Sequence, residues 1–115
     1  MRILHVSAQK PDSTGSGVYL TQVVAACAHL GCEQAVVCGI GPDDVPALPE
    51  GVAVYPVRFE SAELPFPVVG MSDVMPYRAT RYRDMTPEMV AQFRSAFERR
   101  LREAVSTLRP DVIFC

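Results

Sequence analysis

No apolar run in this 115-residue sequence approaches the ~20 residues that a membrane-spanning helix needs. Nothing near its start resembles a secretion signal. The apolar run Ile3–Val6 is too short for an h-region, and a polar, proline-containing stretch follows it. The four cysteines (Cys27, Cys32, Cys38, Cys115) form no CxxC pair, and only two histidines could join them as ligands. Their apolar surroundings fit buried thiols acting as small hydrophobes better than a metal site or a disulfide. An excess of one charge is also missing. A net charge of −2 offers no electrostatic footprint for nucleic acid or an anionic membrane surface. Spacing places no carboxylate pair and no Ser-His-Asp arrangement. The simplest expectation is a cytoplasmic protein.

What is present is ordinary globular material: 49% hydrophobic and 21% charged residues, which excludes disorder as the default. The length allows one domain around one core. Arg2–Ser7 is nearly continuous in apolar and β-branched residues, as a strand buried on both faces requires. Residues 8–17, with Pro11 to Gly17 all turn formers, read as a loop. Leu20, Val23, Val24, Cys27, Ala28 and Leu30 recur at helical spacing over Val18–Leu30, with small Ala25 and Ala26 suited to lying close on a sheet. Gly31 stands where a left-handed residue ends a helix. Glu33–Cys38 is a second strand, ended by Gly39, Gly41 and Pro42, and Val52–Phe59 a third. Pro56 cannot donate to a ladder, which sends that third strand to the sheet edge.

Thr86-Pro87-Glu88 is a helix start, with a hydroxyl cap, proline at the first helical position and an acid in the first turn. Phe93, Phe97, Leu101, Val105 and Leu108 mark its inner face, and Arg94, Glu98, Arg99, Arg102 and Glu103 a solvated outer one. Asp111–Cys115 is a fourth strand. Alternation of strands and helices implies an α/β fold: a Rossmann-like parallel sheet, spatial order 3-2-1-4, with helices on both faces. A buried strand makes a poor domain ending, so the expectation is a chain truncated after its fourth strand, whose open edge invites association with a second copy.

Ligands of such sheets bind beyond the C-terminal strand ends at the switch point, here between the first and fourth strands. Thr14-Gly15-Ser16-Gly17 precedes a helix there, and exposed amides with glycines beside them suit a phosphate or diphosphate. A Walker loop is excluded because Val18 and Tyr19 follow the last glycine instead of a lysine and a hydroxyl. A dinucleotide fingerprint is disfavoured: Gly15 lies eight residues after Ser7, position 20 is Leu20, and the second strand ends in Cys38-Gly39 without an acid. A flavodoxin-like FMN loop is nearer, since Ser13-Thr14-Gly15-Ser16 is hydroxyl-rich, but no Tyr or Trp stands where a flavin ring would stack after the third strand. His5, mid-strand, reads as a hydrogen-bonded core residue, His29 as a dipole partner near a helix end, and Asp43 and Asp44 as turn residues.

Taken in order, Met1–Ser7, a proline-containing loop, Gly15–Leu20, a helix ending His29-Leu30-Gly31, and Pro110–Phe114 resemble the N-terminal domain of family-4 glycosyltransferases. The resemblance implies a two-domain GT-B enzyme that moves a sugar from a nucleotide-sugar donor to an acceptor hydroxyl. It implies no separate cofactor. Gly15, Ser16 and Gly17 would lie against the donor diphosphate, although Val18-Tyr19-Leu20 stands where the family often has a basic residue. The chain would be the acceptor-side half and inactive alone, its donor domain absent.

Residues 60–85 would border the acceptor side of the cleft. They lack clear periodicity yet are rich in apolar and aromatic residues, stiffened by Pro65, Pro67 and Pro76. Tyr77, Arg78, Arg81, Tyr82 and the neighbouring Arg83 are the candidates to clamp a phosphorylated or hydroxylated acceptor. The plainer reading is a segment packed over the sheet with its arginines in solvent. Two rival functions stay open: a small FMN-binding electron carrier, and a non-catalytic interaction module using the open strand edge.

Overall fold

The computed structural model describes residues 1–115. Strand β1 (Arg2–Ser7) leads through a loop into helix α1 (Thr14–His29), followed by β2 (Glu33–Ile40) and β3 (Ala53–Arg58). Two short strands, β4 (Val69–Gly70) and β5 (Thr80–Arg81), and a 3-10 turn at Tyr82–Asp84 precede α2 (Pro87–Leu108) and β6 (Val112–Phe114). The main sheet is parallel, in the order β3-β2-β1-β6. This is the expected 3-2-1-4 arrangement, with β6 as the fourth predicted strand and the Pro56 strand at the edge.

The helices pack on opposite faces. Leu4, Ala35, Val37 and Val57 face α2 and join Phe59, Phe97, Ala104 and Leu108 in the larger core cluster. Val36, Cys38 and Ile40 alternate to the other side and meet Leu20 and Val24 of α1. Period-two alternation in β2 thus feeds two cores from one strand.

Each helix ends as local chemistry requires. Gly31, at φ 76°, closes α1: its N–H donates to Ala28 O at 3.0 Å and that of Cys32 to Cys27 O at 3.0 Å. Those are the two bonds of a Schellman motif. The Thr86 hydroxyl accepts from Met89 N at 3.2 Å at the start of α2, beside Pro87.

Several expectations shift. Helix α1 begins at Thr14, so Gly15–Gly17 form its first turn and do not lie in the loop. Its buried stripe is Gly17, Leu20 and Val24; Ala26 is exposed and Leu30 is 81% exposed. Strand β2 runs on through Gly39, where a Cβ would come 2.5 Å from Ala8 O, so glycine here admits a close neighbour and does not end the strand. In α2 the helical turn carries Val105 outward, and Ala104 takes the buried place instead. Among the cysteines only Cys38 is buried, and Cys115 is exposed.

Within 60–85, residues 64–69 pack over the sheet with Tyr77 and Met85 beside them, whereas Met71 and Val74 stand in solvent. Leu64, Phe66, Val68 and Val69 are buried in the larger core, and β4 and β5 form a separate parallel pair. No helix is long and apolar enough to cross a membrane.

Candidate functional site

The C-terminal end of β1 is the centre of the candidate site, because α1 starts beside it and β6 and β2 flank it. At the α1 N-terminus Ser13 makes no side-chain cap, and no acid occupies the first turn. The first turn therefore brings no acid of its own to the positive end of the helix dipole, the nearest being Asp12 just before the cap, and its first amides lack a side-chain acceptor. Gln9 organises the turn from behind. It is 7% exposed, and its carbonyl oxygen accepts from Ser16 Oγ at 2.9 Å and Thr14 Oγ1 at 3.2 Å. Asp12 and Thr14 hold left-handed φ values of 57° and 64°. For a β-branched residue such as Thr14 this is strained backbone, a feature that collects at binding sites.

The two glycines of the turn do different things. Gly17 is buried, and a Cβ there would collide with Lys10 O and stand 3.1 Å from Asp12 N. It lets the loop lie on the helix. Gly15 is exposed, with no atom within 4 Å of the place a Cβ would take, and Ser16 beside it is exposed too. The turn opens to solvent at Gly15 and Ser16, whereas Gly17 faces the protein.

A cleft of about 180 Å³ opens next to Ser16, between α1 and β6, at the expected switch point. Its walls are His5 and Ser7 of β1, Tyr19, Leu20 and Val23 of α1, and Phe114 of β6. The flank of α1 forms the wall expected of the loop. His5 is a hydrogen-bonded core residue, as its position predicts. Its Nε2 lies 2.8 Å from Gln34 Oε1, and Gln34 Nε2 donates to Val24 O at 3.0 Å. Burial pushes the imidazole pKa below its usual value, outweighing the Gln34 bond.

On the other side of the β1 loop lies a groove of about 330 Å³, lined by Lys10, Gly41, Asp44, Glu60, Tyr77 and Arg78. Lys10 reaches Asp44 at 2.9 Å and sits 4.6 Å over the Tyr77 ring. Burial raises the Asp44 carboxyl pKa, but Lys10 and the Gly41 N–H lower it more, so the net shift is downward. The turn role expected of Asp44 is visible in the bond it accepts from Gly41 N at 2.6 Å.

The four acceptor candidates are not brought together. Tyr77 and Arg78 line this groove, but Arg78 extends into solvent and pairs with Glu60 at 3.5 Å. The Tyr77 hydroxyl is buried without a partner, so only its ring faces the groove. Arg81 is taken up by Asp84 at 2.6 Å and Asp73 at 3.8 Å, with Arg83 also on Asp73 at 3.2 Å. Tyr82 lies in the 3-10 turn, its pKa raised by partial burial. Burial also pushes the Cys38 thiol up to about 12, which makes it inert. Sequence reasoning missed Gln9, Lys10 and Gln34. Polar residues at strand ends carry no periodic signal, and only the fold shows what they meet.

No family model matches the chain, and no curated protein matches it.

Proposed function

We propose that this chain is the N-terminal, acceptor-side domain of a GT-B-type glycosyltransferase, which moves a sugar from a nucleotide-sugar donor to an acceptor hydroxyl. The observation that supports it most is the uncapped first turn of α1 at the C-terminal end of the central strand, with Gly15 and Ser16 exposed and no acid in that turn. A diphosphate laid there meets free amides and a helix dipole of the right sign. Gly15, Ser16 and the backbone of Gly17 form this donor-side contact. Tyr77 and Arg78, with Lys10, form the better acceptor candidate; Arg81, paired with Asp84 and Asp73, and Tyr82 line no part of that groove. The donor is held mainly by a second domain, so this chain alone binds nucleotide sugars only weakly, at Kd ~1 mM or above.

The test is Gly15→Asp in the intact two-domain enzyme. A carboxylate in the first turn of α1 favours the helix but repels a diphosphate. The expected outcome is a donor KM raised at least about tenfold with the melting temperature held or raised. Unchanged donor kinetics in the folded variant would remove the diphosphate assignment.

The β6 edge favours a second reading, an interaction module that pairs with another copy. Val112, Ile113 and Phe114 are 36%, 50% and 52% exposed on a strand with one side unpaired. Sedimentation decides it: concentration-dependent dimers support pairing through β6, and a monomer throughout removes it.

A further inference from the structure

The cleft between α1 and β6 has a chemistry of its own. Gln34 is oriented by its bond to Val24 O, so its carbonyl oxygen faces His5 and the imidazole proton sits on Nε2. Nδ1 therefore carries a lone pair, and it makes no hydrogen bond in the chain. The Tyr77 hydroxyl is the buried side-chain polar atom left without a partner. Nδ1, equally unpartnered, is thus not sealed, although the residue as a whole is only 1% exposed. The opening it has is the cleft that His5 lines.

Of the hydroxyls beside it, Ser16 Oγ spends its proton on Gln9 Oε1 and Ser7 Oγ spends its own on Gln9 O, so Tyr19 Oη and the Cys115 thiol at the mouth are the side-chain donors left. A ligand at the floor must bring a donor for Nδ1. No charged side chain lines the cleft, so an ion would lose its hydration without a counter-charge. Most of the wall is apolar, from Val6, Tyr19, Leu20, Val23 and Phe114. The Phe114 ring stands nearly parallel to His5 at 18°, with centroids 6.0 Å apart. A sugar ring would bury more hydroxyls than these few polar groups satisfy. A single aromatic ring fits the size, since an apolar cavity of ~150 Å³ accepts benzene and this cleft holds about 180 Å³.

We propose that this cleft binds an uncharged aromatic alcohol, whose hydroxyl donates to Nδ1 of His5 while its ring lies against Leu20, Val23 and Phe114. The inference does not rest on the sugar-transfer reading, and its test uses no nucleotide sugar, so either can fail alone.

The experiment is a titration of the chain, labelled with nitrogen-15, with phenol, toluene, benzoate and glucose. Imidazole nitrogen and backbone amide shifts are followed by NMR. Phenol is expected to move the His5 Nδ1 resonance and the Leu20 and Val23 amides saturably, with toluene about tenfold weaker and benzoate and glucose without effect. His5→Phe should reduce phenol to the affinity of toluene. Val23→Trp, placed on the half-buried flank of α1 so that the fold survives, should abolish both. Equal binding of phenol and toluene to the native chain, a preference for glucose, or phenol binding that survives Val23→Trp would each overturn the proposal. The first and third of these hold even if His5→Phe does not fold.

Discussion

Against α2 the sheet buries one continuous cluster of 13 residues, while against α1 it buries a cluster of five. The α2 face is closed over by residues 64–69, whose apolar side chains supply the layer that α2 leaves uncovered. The α1 face is covered by Leu20 and Val24, with Leu48, Val52 and Val54 packed beside them, and the open cleft lies between α1 and β6. The same strand β1 serves both, sending Leu4 into the large core and His5 to the cleft. A well-packed face can stabilise the domain while its opposite keeps polar groups at an opening. Stability and binding are thereby separated onto two sides of one sheet.

The largest test of that division compares truncations on the two faces. Phe59 is fully buried, with its ring 5.7 Å from Phe66 and 6.1 Å from Phe93. Phe59→Ala is expected to cost about 3–5 kcal/mol. Leu20→Ala, at the margin of the smaller cluster, should cost about 2 kcal/mol, the low end for its type. Urea unfolding of both variants measures the difference. Equal losses would mean that the two faces share the load.

The glycines of α1 sharpen the comparison within one turn. Gly17→Ala forces a methyl group onto the Lys10 carbonyl, an overpacking expected to cost about 1–3 kcal/mol. Gly15→Ala meets open space without a left-handed φ, and should stabilise by about 0.4–1 kcal/mol. Thermal melts of the two variants give opposite signs if Gly17 is a packing residue and Gly15 a surface one.

His5 supplies a smaller effect with a pH signature. Its folded pKa lies below the usual value, so the unfolded chain binds the proton more readily. Stability is fully present above about pH 6.5, the unfolded value, and falls as pH drops through it toward the folded one. His5→Asn should flatten unfolding free energy between about pH 7 and 5. An unchanged slope would show that His5 is as easily protonated in the fold as outside it.

The sequence made the frame legible and the site only in outline. Continuous apolar runs at Ile3–Val6 and Ala35–Val37, together with the Thr86-Pro87 cap, specify a parallel α/β sheet and its order because burial and capping are local, periodic signals. The Thr14–Gly17 turn was visible as glycines before a helix. Its split into an exposed Gly15 and a packed Gly17 was not, since that depends on the Lys10 carbonyl arriving from the preceding loop. Arginines 78, 81 and 83 looked like one cluster in sequence, but Glu60 draws Arg78 aside while Asp73 and Asp84 neutralise Arg81 and Arg83. Complementary charges brought together by a loop leave no mark on spacing.

The smallest expected effect lies at the other end of the sheet, where β6 is tied to β1. Asp111 accepts from Arg2 N at 2.8 Å and from the Arg2 guanidinium at 3.1 Å, and its own N–H donates to Arg2 O at 2.8 Å. The Arg2 side chain, then its backbone N–H, holds the Asp111 carboxyl below its usual range. A carboxyl depressed in the fold contributes above its unfolded value of about 3.9 and loses that contribution as pH falls through the folded value. Both side chains are exposed, so the pair is screened and weak. Asp111→Asn should therefore lower the melting temperature slightly near neutral pH, with a difference that shrinks in ~0.5 M salt and closes as pH falls through the depressed folded value. Because the pair ties β6 to β1 far from the cleft mouth, phenol binding should be unchanged in the variant. A melting difference that persists at low pH would mean that Asp111 acts through the shape of the β6 turn, and not through its charge.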